Sequence, residues 1–224
     1  MLLDSNIFMY PLVAICSYLI GAIPYGLIIG FVSRGIDIRK HGSGNAGLTN
    51  VYRVLGIGPA LVVAVADIFK GWLAAALIPL YFTDLLVTDI HLTGILAGSS
   101  AVLGHTFTLF AGFRGGKGVA TLLGVIIALY PTVIPICLTV FVFTLITWGY
   151  VSVSSMTATA ALTLGVWILP ELGFEPSGFS LTIFTILIFL FIIFTHRSNI
   201  GRLRKGIENK FEKAVLFKSM KRKP

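Results

Sequence analysis

The sequence predicts an all-α integral membrane protein with about seven transmembrane helices, an N-terminus outside the cell and a C-terminus in the cytoplasm. Composition is the first observation behind this fold class. Of the 224 residues, 56% are hydrophobic and only 12% are charged, and the mean hydropathy is +0.95. In soluble domains about a quarter of the residues are charged. The chain therefore has too little polar surface to cover a globule in water, and lipid must surround much of it.

Apolar segments of spanning length are the second observation. A helix needs about 20 apolar residues to cross a hydrocarbon core about 30 Å thick. The long apolar stretch from 118 to 150 is interrupted by Pro131 and Pro135, so we divide it into two helices. The predicted spans are 7–32, 57–82, 92–113, 118–134, 135–150, 153–170 and 179–196.

The third observation is the uneven distribution of charge. All but one of the 17 Lys and Arg lie in the 33–56 loop, in the 114–117 turn or in the tail after His196. Because Lys and Arg concentrate in cytoplasmic loops, this pattern gives the orientation stated above. The segments assigned to the outer side carry acids instead, namely Asp4, Asp84, Asp89, Glu171 and Glu175.

The chain is expected to form a single transmembrane domain over residues 1–208, followed by a basic cytoplasmic tail over 209–224. The N-terminal MLLDSN has an acid and no basic region, so we expect no cleavable signal peptide and a first span that is retained. The basic tail favours contact with anionic lipid head groups. Nucleic acid is not an expected partner, because the tail offers only Phe211 and Phe217 as aromatic side chains.

A polar, glycine-rich segment, HGSGNAGLTNVYRVLG at residues 41–56, separates the first two spans. Its glycines allow positive φ, so backbone N–H groups can turn inward and form a nest for an anion. Arg53 follows Asn50 by three residues and shares a helix face with it if a helix begins there. The alternative is a flexible loop whose glycines serve only as turns. The predicted phosphate-binding residues of this segment are Ser43, Gly44, Asn45, Thr49, Asn50 and Arg53.

A second glycine-rich segment, FRGGKGVAT at residues 113–121, leads directly into an apolar helix. Free N–H groups at a helix start, together with the Lys117 cation, can form an anion site. The segment is not a Walker A loop, because Ala111 and Gly118 occupy two positions that this motif requires. In the alternative interpretation, Arg114 and Lys117 only anchor the span. The predicted phosphate-binding glycines are Gly115, Gly116 and Gly118.

Two such segments on one membrane face indicate a substrate with more than one phosphate group, or two phosphorylated substrates. Ionisable side chains inside spans are costly and usually face a polar interior. Asp67 and Lys70 stand three residues apart and can pair, either as a structural salt bridge or with Lys70 adding charge to the anion site.

Further polar side chains lie at span ends. His105 and His196 are candidates for a general base, and the alternative for each is a hydrogen-bonded interfacial histidine. Asn199 follows His196 by one helical turn. Ser152 belongs to a hydroxyl-rich helix start, where helix packing is the alternative. No spacing of His, Cys or acids indicates a metal site, and no cofactor is expected.

The segments SGNAGLTN, GGKGVAT and HRSNI together resemble the bacterial membrane glycerol-3-phosphate acyltransferases of the PlsY type, which use acyl phosphate as donor. The resemblance covers nearly the whole chain. It implies transfer of a fatty acyl group to the 1-hydroxyl of glycerol 3-phosphate, giving lysophosphatidate and inorganic phosphate in phospholipid biosynthesis. The family's functional residues then fall on Ser43, Asn45, Thr49, Asn50, Arg53, Lys117, Ser152, His196 and Asn199, and the stretches with Asp67, Lys70 and His105 are also similar. Of these, Lys117, Ser152, His196 and Asn199 are expected to be catalytic.

Two positions depart from the family's pattern. Leu48 stands where the family usually has alanine, and Gly149 stands where some members carry a basic residue. The resemblance also implies a multi-pass protein of the bacterial cytoplasmic (inner) membrane, with its active site on the cytoplasmic face. Its expected partners are acyl phosphate, glycerol 3-phosphate, membrane lipid and, as a candidate, the soluble phosphate acyltransferase that makes acyl phosphate.

Alternatives stay open for the group that accepts the proton and for the activity of the protein. The His-x4-Asp pair of other acyltransferases is absent, because no histidine is followed by aspartate at that spacing. The base is therefore His105, His196 or a phosphate oxygen of the donor, and we favour the phosphate oxygen. A transporter for a phosphorylated small molecule is the rival function. The clustering of polar motifs on one face and the lack of a visible inverted repeat argue against it.

Overall fold

A computed structural model describes residues 9–83, 90–174 and 178–211 of the chain. These residues form helices, turns and loops and contain no strand, which confirms the predicted all-α fold. Predictions for Asp4, Asp84, Asp89, Glu175, Phe217 and most of the tail lie outside the described residues.

Ten α-helices make up the described part of the chain. We number them α1 (Met9–Ala22), α2 (Tyr25–Arg34), α3 (Leu48–Leu55), α4 (Ile57–Thr83), α5 (Ile90–Thr106), α6 (Val119–Leu129), α7 (Ile134–Trp148), α8 (Val151–Ile168), α9 (Gly178–Thr195) and α10 (Arg197–Arg204).

Six helical segments are long and apolar enough to cross a membrane, and α6 is a shorter apolar helix, so the expected number of about seven is confirmed. The six segments are Met9–Arg34, Ile57–Phe82, Ile90–Ala111, Pro131–Trp148, Val151–Ile168 and Gly178–Thr195.

The boundaries of two predicted spans differ, and prolines explain both differences. The span predicted at 7–32 consists of α1 and α2, because Pro24 lacks an N–H and disfavours the helical conformation of Ile23 before it. The span predicted at 118–134 ends early: α6 has 11 residues, and a 3₁₀ turn at Pro131–Val133 separates it from α7. An α-helix of that length is about 16 Å long, well short of a hydrocarbon core.

The chain divides after Pro131 into two compact units. The first contains α1 to α6 and the second contains α7 to α10. The single domain expected over 1–208, and its boundary with the tail, stay predictions.

Small residues let the helices of the first unit approach closely. A β-carbon at Gly21 on α1 would overlap the backbone of Ala101 on α5, and one at Gly124 on α6 would overlap the carbonyl of Ile68 on α4. Such contacts suit helices in lipid, where association depends on packing rather than on the hydrophobic effect. They set the spacing between α1 and α5 and between α4 and α6, and α4 and α5 carry Asp67, Lys70 and His105.

In the second unit, α8 packs between its sequence neighbours through hydroxyl groups as well as apolar side chains. The Thr144 and Thr157 hydroxyls are 3.1 Å apart, and Thr163 donates to the Thr185 carbonyl at 3.0 Å. Gly149 ends α7 with φ 77°, a left-handed conformation that a basic side chain would adopt only with strain. The backbone therefore gives a reason for glycine at this departure from the family's pattern.

Candidate active site

The first glycine-rich segment is a fixed structure, and the side chain of Asn50 holds it. Asn50 is 1% exposed. The two N–H groups of its Nδ2 are shared among the carbonyls of Ile38, His41 and Asn45, whose oxygens lie 2.9, 3.0 and 2.9 Å from the nitrogen, and its Oδ1 accepts from the Ser43 N–H at 2.7 Å. These contacts close residues 38–45 around one amide. They favour an ordered loop over the flexible alternative.

Helix α3 follows directly, as expected, and carries three of the predicted residues: Thr49, Asn50 and Arg53. Asn45 Oδ1 accepts from the Gly47 N–H at 2.9 Å, and Gly47 is the residue that precedes the helix. Arg53 is half-buried. Leu48, the departure from the family's alanine, packs against the apolar cluster that contains Ile38 and Val51, so its extra bulk is accommodated.

The second glycine-rich segment lies against the end of α5. Gly115 N–H donates to the Thr106 carbonyl at 3.0 Å, and Gly116 N–H donates to the His105 carbonyl at 3.1 Å. A β-carbon at Gly116 would overlap the His105 imidazole, so only glycine allows this approach. Gly118 has φ 87° and immediately precedes α6, which begins at Val119 as expected. Lys117 therefore lies on a turn that packs against the His105 ring.

A buried ion pair supports that ring. Lys70 Nζ lies 2.8 Å from Asp67 Oδ1, which confirms the predicted pairing, and the side chains are 2% and 3% exposed. His105 Nδ1 lies 3.5 Å from the same carboxylate oxygen. Lys70 also donates to the Ile23 carbonyl at 2.9 Å, where the break between α1 and α2 leaves a backbone acceptor. This geometry favours the structural interpretation of the pair. Lys70 contacts the break between α1 and α2, and Asp67 contacts the His105 ring, against which the Lys117 turn packs.

The two glycine-rich segments border one pocket of about 330 Å³. Arg39 precedes the first segment, and its guanidinium pairs with Asp37 at 2.9 Å and donates to the Ala111 carbonyl at 2.8 Å, just before the second segment. Its Nη1 also lies 3.4 Å from the Arg114 carbonyl within that second segment. The hydrogen bond from Arg39 lowers the pKa of Asp37 below its ordinary value, so the carboxylate stays charged at neutral pH. The pocket is lined by Asp37, Arg39, Lys40, Gly44, Arg114 and Gly115.

The polar cluster of the second unit is organised by Glu208, a residue that the sequence analysis missed. Its Oε1 accepts from Ser152 at 3.0 Å and from the Asn199 amide, and its Oε2 accepts from Arg202 at 2.6 Å. Its side chain is only 3% exposed. Two of the predicted catalytic residues, Ser152 and Asn199, therefore share one carboxylate. A weak signal was available, since acids are rare among the basic residues after His196.

Burial acts to raise the pKa of Glu208, but the hydrogen bonds from Asn199, Arg202 and Ser152 outweigh it, and the pKa is lowered. The carboxylate is therefore ionised at neutral pH, and it stabilises the segment after α10 against the start of α8. Phe211 N–H adds a backbone bond of 2.7 Å to the Gly149 carbonyl in the same place.

His196 is buried at the junction of α9 and α10. It is 2% exposed, and its Nδ1 lies 2.8 Å from the Ile192 carbonyl. A carbonyl accepts but cannot donate, so Nδ1 carries a proton. In the neutral imidazole, Nε2 is then the acceptor nitrogen. Asn199 lies on α10, one turn further on, as expected.

The predicted site residues fall into two groups, one in each unit. The first group contains Ser43, Gly44, Asn45, Thr49, Asn50, Arg53, Lys70, His105, Gly115, Gly116, Lys117 and Gly118, and the second contains Ser152, His196 and Asn199. Across residues 9–83, 90–174 and 178–211, no group of three or more His, Cys, Asp or Glu side chains could hold a metal ion.

Comparison with known proteins gives one consistent result. The sequence profile described as "Glycerol-3-phosphate acyltransferase" matches residues 11–206. A glycerol-3-phosphate acyltransferase of Chlorobium phaeobacteroides is 43% identical over 91% of this chain and 98% of its own length. One from Listeria monocytogenes is 44% identical over 90% and 96%.

Solved structures agree with these relatives. The crystal structure of PlsY, an integral membrane glycerol 3-phosphate acyltransferase, in its glycerol 3-phosphate form has a TM-score of 0.79 and 34% identity. The match covers 91% of this chain and 96% of that one. The lysophosphatidic acid form of PlsY gives a TM-score of 0.77 and 33% identity.

Proposed function

Because the chain belongs to the glycerol-3-phosphate acyltransferase family, we propose that it transfers a fatty acyl group from acyl phosphate to the 1-hydroxyl of glycerol 3-phosphate. The products are lysophosphatidate (1-acyl-glycerol 3-phosphate) and inorganic phosphate. That the chain is an acyltransferase for glycerol 3-phosphate, and an integral membrane protein, follows from the family and from the PlsY structures. The acyl phosphate donor and the residue roles below are our proposal.

One observation carries the proposal: two ordered glycine-rich segments, each predicted to hold a phosphate, border the same pocket through Gly44 and Gly115. Glycerol 3-phosphate brings one phosphate group and an acyl phosphate brings another. An acyl-CoA donor would instead bring a nucleotide and a pantetheine arm, and no feature of the sequence is typical of a site for either. The paired segments therefore favour acyl phosphate as the donor.

The first unit supplies most of the groups that hold phosphate. Arg53 and Lys117 offset the repulsion between the two phosphates, with Ser43, Thr49 and the glycine backbone as further donors. Asn50 acts on the loop, since the two N–H groups of its Nδ2 are shared among three backbone carbonyls. Lys70 and His105 act indirectly: both lie beside Asp67, and the His105 ring supports the Lys117 turn. Asn45, Gly116 and Gly118 shape the two segments.

The second unit supplies Ser152, His196 and Asn199. Glu208 accepts hydrogen bonds from Ser152 and Asn199 and fixes both side chains in one orientation. The His196 ring is fixed through the Ile192 carbonyl, with Nε2 as the acceptor nitrogen. We assign these three residues to positioning the reacting groups. An oriented hydroxyl and carbonyl can account for as much as about 7–11 kcal/mol of barrier lowering.

The chemical step is a single acyl transfer. The 1-hydroxyl oxygen of glycerol 3-phosphate bonds to the acyl carbon, the bond from that carbon to the phosphate oxygen breaks, and phosphate leaves with the electron pair. A phosphate oxygen of the donor takes the hydroxyl proton. Since His105 contacts Asp67 and the Gly116 turn, this geometry supports a positioning role for it rather than that of the base.

We place the enzyme in the bacterial cytoplasmic membrane, with the active site on the cytoplasmic face, where both phosphorylated substrates would be available. The distribution of Lys and Arg supports this orientation. The soluble phosphate acyltransferase that makes acyl phosphate is a candidate partner for the basic tail. Its capture by the full chain but not by a chain that ends at residue 211 would support docking on the tail, and equal capture would contradict it.

The decisive experiment uses the purified full chain in lipid with glycerol 3-phosphate and palmitoyl phosphate. Inorganic phosphate and lysophosphatidate are followed together, and palmitoyl-CoA is the parallel donor. We expect equal amounts of both products from palmitoyl phosphate and no product from the CoA ester. Product from palmitoyl-CoA alone would overturn the donor assignment. A well-folded protein that forms no product from either donor would direct attention to transport.

A further inference from the structure

Arg39 lies outside both glycine-rich segments, and the proposed reaction gives it no role. It belongs to the short 3₁₀ turn Ile38–Lys40, directly before the first segment, and its side chain is 28% exposed. The Asn50 amide holds this turn, because its Nδ2 contacts the carbonyls of Ile38 and His41. The backbone of Arg39 is therefore fixed to the first segment.

The guanidinium of Arg39 is oriented by Asp37. Its Nε donates to Asp37 Oδ1 at 3.1 Å and its Nη2 donates to Asp37 Oδ2 at 2.9 Å, which is the bidentate geometry typical of an arginine and a carboxylate. Asp37 is itself held in place, since its Oδ1 accepts from the Arg39 backbone N–H at 2.9 Å. This pairing leaves the third nitrogen, Nη1, for a partner beyond the turn.

Nη1 reaches the backbone at the beginning of the second segment. It donates to the Ala111 carbonyl at 2.8 Å and lies 3.4 Å from the Arg114 carbonyl. These two carbonyls flank Gly112 and Phe113, which have φ values of 65° and 59°. Among residues 9–83, 90–174 and 178–211, Phe113 is the one residue other than glycine with a positive φ.

The left-handed turn at Phe113 needs support from its surroundings. A side chain other than glycine is strained in this conformation, and such residues persist where neighbouring contacts hold them. The Phe113 ring is 58% exposed, so its own packing contributes little. The contacts that hold the turn are the hydrogen bond from the Phe113 N–H to the Thr108 carbonyl, 2.8 Å long, and the guanidinium of Arg39. Together they set the direction in which the chain enters the second segment.

From these contacts we propose that Arg39 is a positioning residue for acyl transfer: it sets the separation of the two glycine-rich segments, and with it the distance between the two bound substrates. The inference rests on the proposed function, in which each segment holds one phosphate. Arg39 does not hold a phosphate itself. Its charge is balanced by Asp37, and its Nε, Nη1 and Nη2 all contact acceptors of the protein.

Loss of Arg39 should therefore change kcat more than it changes substrate binding. Each segment keeps contacts of its own, since the Asn50 amide holds the first and the N–H groups of Gly115 and Gly116 hold the second against α5. Each phosphate then binds about as before, but the reacting atoms of the bound pair are aligned less well. A misplacement of about 1 Å can lower a rate about 100-fold.

Initial rates are measured for the purified full chain in lipid, with glycerol 3-phosphate and palmitoyl phosphate each varied at a saturating level of the other. Arg39→Lys keeps the positive charge but lacks the planar guanidinium, and Arg39→Ala removes both. The matched control is Arg34→Lys. Arg34 Nη1 also donates to a backbone carbonyl, but that carbonyl belongs to Val54 within the first segment, at 3.1 Å.

We expect kcat to fall about tenfold in Arg39→Lys and about 100-fold in Arg39→Ala, with both KM values within about threefold of the unchanged chain. Guanidinium chloride at about 20 mM should occupy the space left by alanine and restore the kcat of Arg39→Ala about tenfold. It should not restore Arg39→Lys, because the lysine side chain occupies that space. Ammonium chloride at the same concentration should restore neither variant, and Arg34→Lys should keep kcat within about twofold.

Hydrogen exchange gives a measurement that does not depend on the reaction. In Arg39→Ala, residues 109–114 should exchange about tenfold faster, and guanidinium should restore their protection, while residues 41–45 and α4 stay protected. If the unchanged chain formed no product, the proposed function would be wrong and the catalytic part of this inference with it. Exchange would still show whether Arg39 holds the turn at Phe113.

Three results would overturn the proposal. Full activity of Arg39→Lys would show that a positive charge is sufficient. A large rise in either KM with kcat unchanged would assign Arg39 to substrate binding. Failure of guanidinium to restore an Arg39→Ala protein of normal melting temperature would show that the guanidinium contacts are not the cause of the loss. If Arg39→Ala does not fold, Arg39→Lys decides the question, because the longer side chain and its charge are retained.

Discussion

In the first unit, the side chain of Asn50 fixes a loop by binding four backbone groups, whereas in the second unit the side chain of Glu208 gathers three other side chains. The first arrangement is local, since all partners of Asn50 lie within 12 residues of it. The second also includes a distant partner, since Ser152 and Glu208 are 56 residues apart, whereas Asn199 and Arg202 lie 9 and 6 residues from Glu208. The comparison shows two ways to orient polar groups: shape the backbone that presents them, or tie their side chains to one buried charge.

The largest effect is expected where one side chain serves the most backbone groups. Asn50→Leu keeps a similar volume but leaves three carbonyls and one N–H without their partner. Each unsatisfied group costs about 1–3 kcal/mol when buried, so we expect a loss of at least about 3 kcal/mol in stability. Displacement of the loop should lower kcat/KM by about 100-fold or more.

Thermal unfolding in detergent and the acyl-transfer assay measure both quantities. Asn209→Leu, at an exposed amide in the second unit, is the control and should change neither. An Asn50→Leu protein with normal melting temperature and activity would show that the loop does not need this amide.

Glu208 has the corresponding role in the second unit, where it accepts hydrogen bonds from three side chains. Glu208→Ala leaves Ser152, Asn199 and Arg202 without their common acceptor, and we expect a loss of about 3 kcal/mol, as for other broken buried ion pairs. Hydrogen exchange should increase at the start of α8 and in α10, while residues 41–55 keep their protection. Glu208→Gln retains an acceptor oxygen and should lose less.

The exposed acid Glu171 provides the control, and Glu171→Ala should leave exchange unchanged. If Glu208→Ala raised exchange equally in both units, the division into two separately stabilised polar groups would be wrong.

A smaller effect tests the contact between Gly116 and His105. Gly116→Ala places a β-carbon on the imidazole, and overpacking of this kind costs about 1–3 kcal/mol. We expect KM for glycerol 3-phosphate to rise about tenfold with kcat changed less, because the Lys117 turn shifts. Adding His105→Ala should recover part of the KM, since it removes the overlapping ring.

Gly58→Ala is the matched control, because a β-carbon there meets only open space. A double variant no better than Gly116→Ala alone would mean that the overlap is not the cause.

The smallest expected effect is the pH dependence of thermal stability. It compares one carboxylate of the first unit, Asp37, with one of the second unit, Glu208. Hydrogen bonds lower the folded-state pKa of Asp37 and of Glu208. Their stabilisation is therefore full above the ordinary carboxyl pKa of about 4 and is lost as the pH falls through the lowered folded values. Melting temperatures between pH 7 and pH 3 should fall less steeply for Asp37→Asn and for Glu208→Gln than for the unchanged chain. Parallel curves for all three proteins would contradict this.

The sequence predicted the parts of the site that local chemistry determines. The break at Pro131, the helix start at Val119 and the Asp67–Lys70 pair all depend on neighbours within one or two turns, and each is confirmed. The break at Pro24 was not predicted. The helix count and the family resemblance are confirmed as well.

The sequence did not reveal contacts that only tertiary packing creates. Asn50 was expected to face a ligand. Helical spacing identifies the face on which Asn50 lies, but it does not show which atoms that face contacts. In the structure, Asn50 contacts backbone carbonyls. Arg39 reaches Ala111 across 72 residues, and Glu208 reaches Ser152 across 56. No periodicity carries such information, because the closing of long loops depends on how the helices between them pack.

The 56 residues between Ser152 and Glu208 have a consequence for biosynthesis. The ordered groups of the first unit involve residues up to 118, so they can assemble while later residues are still being translated. Ser152 is translated 56 residues before its acceptor, so α8 inserts without that hydrogen bond. A ribosome that stalls directly after α10 would hold a chain that has α1 to α10 and lacks the carboxylate that joins Ser152 to Asn199. Translation of Glu208 is therefore the step that completes the polar cluster of the second unit.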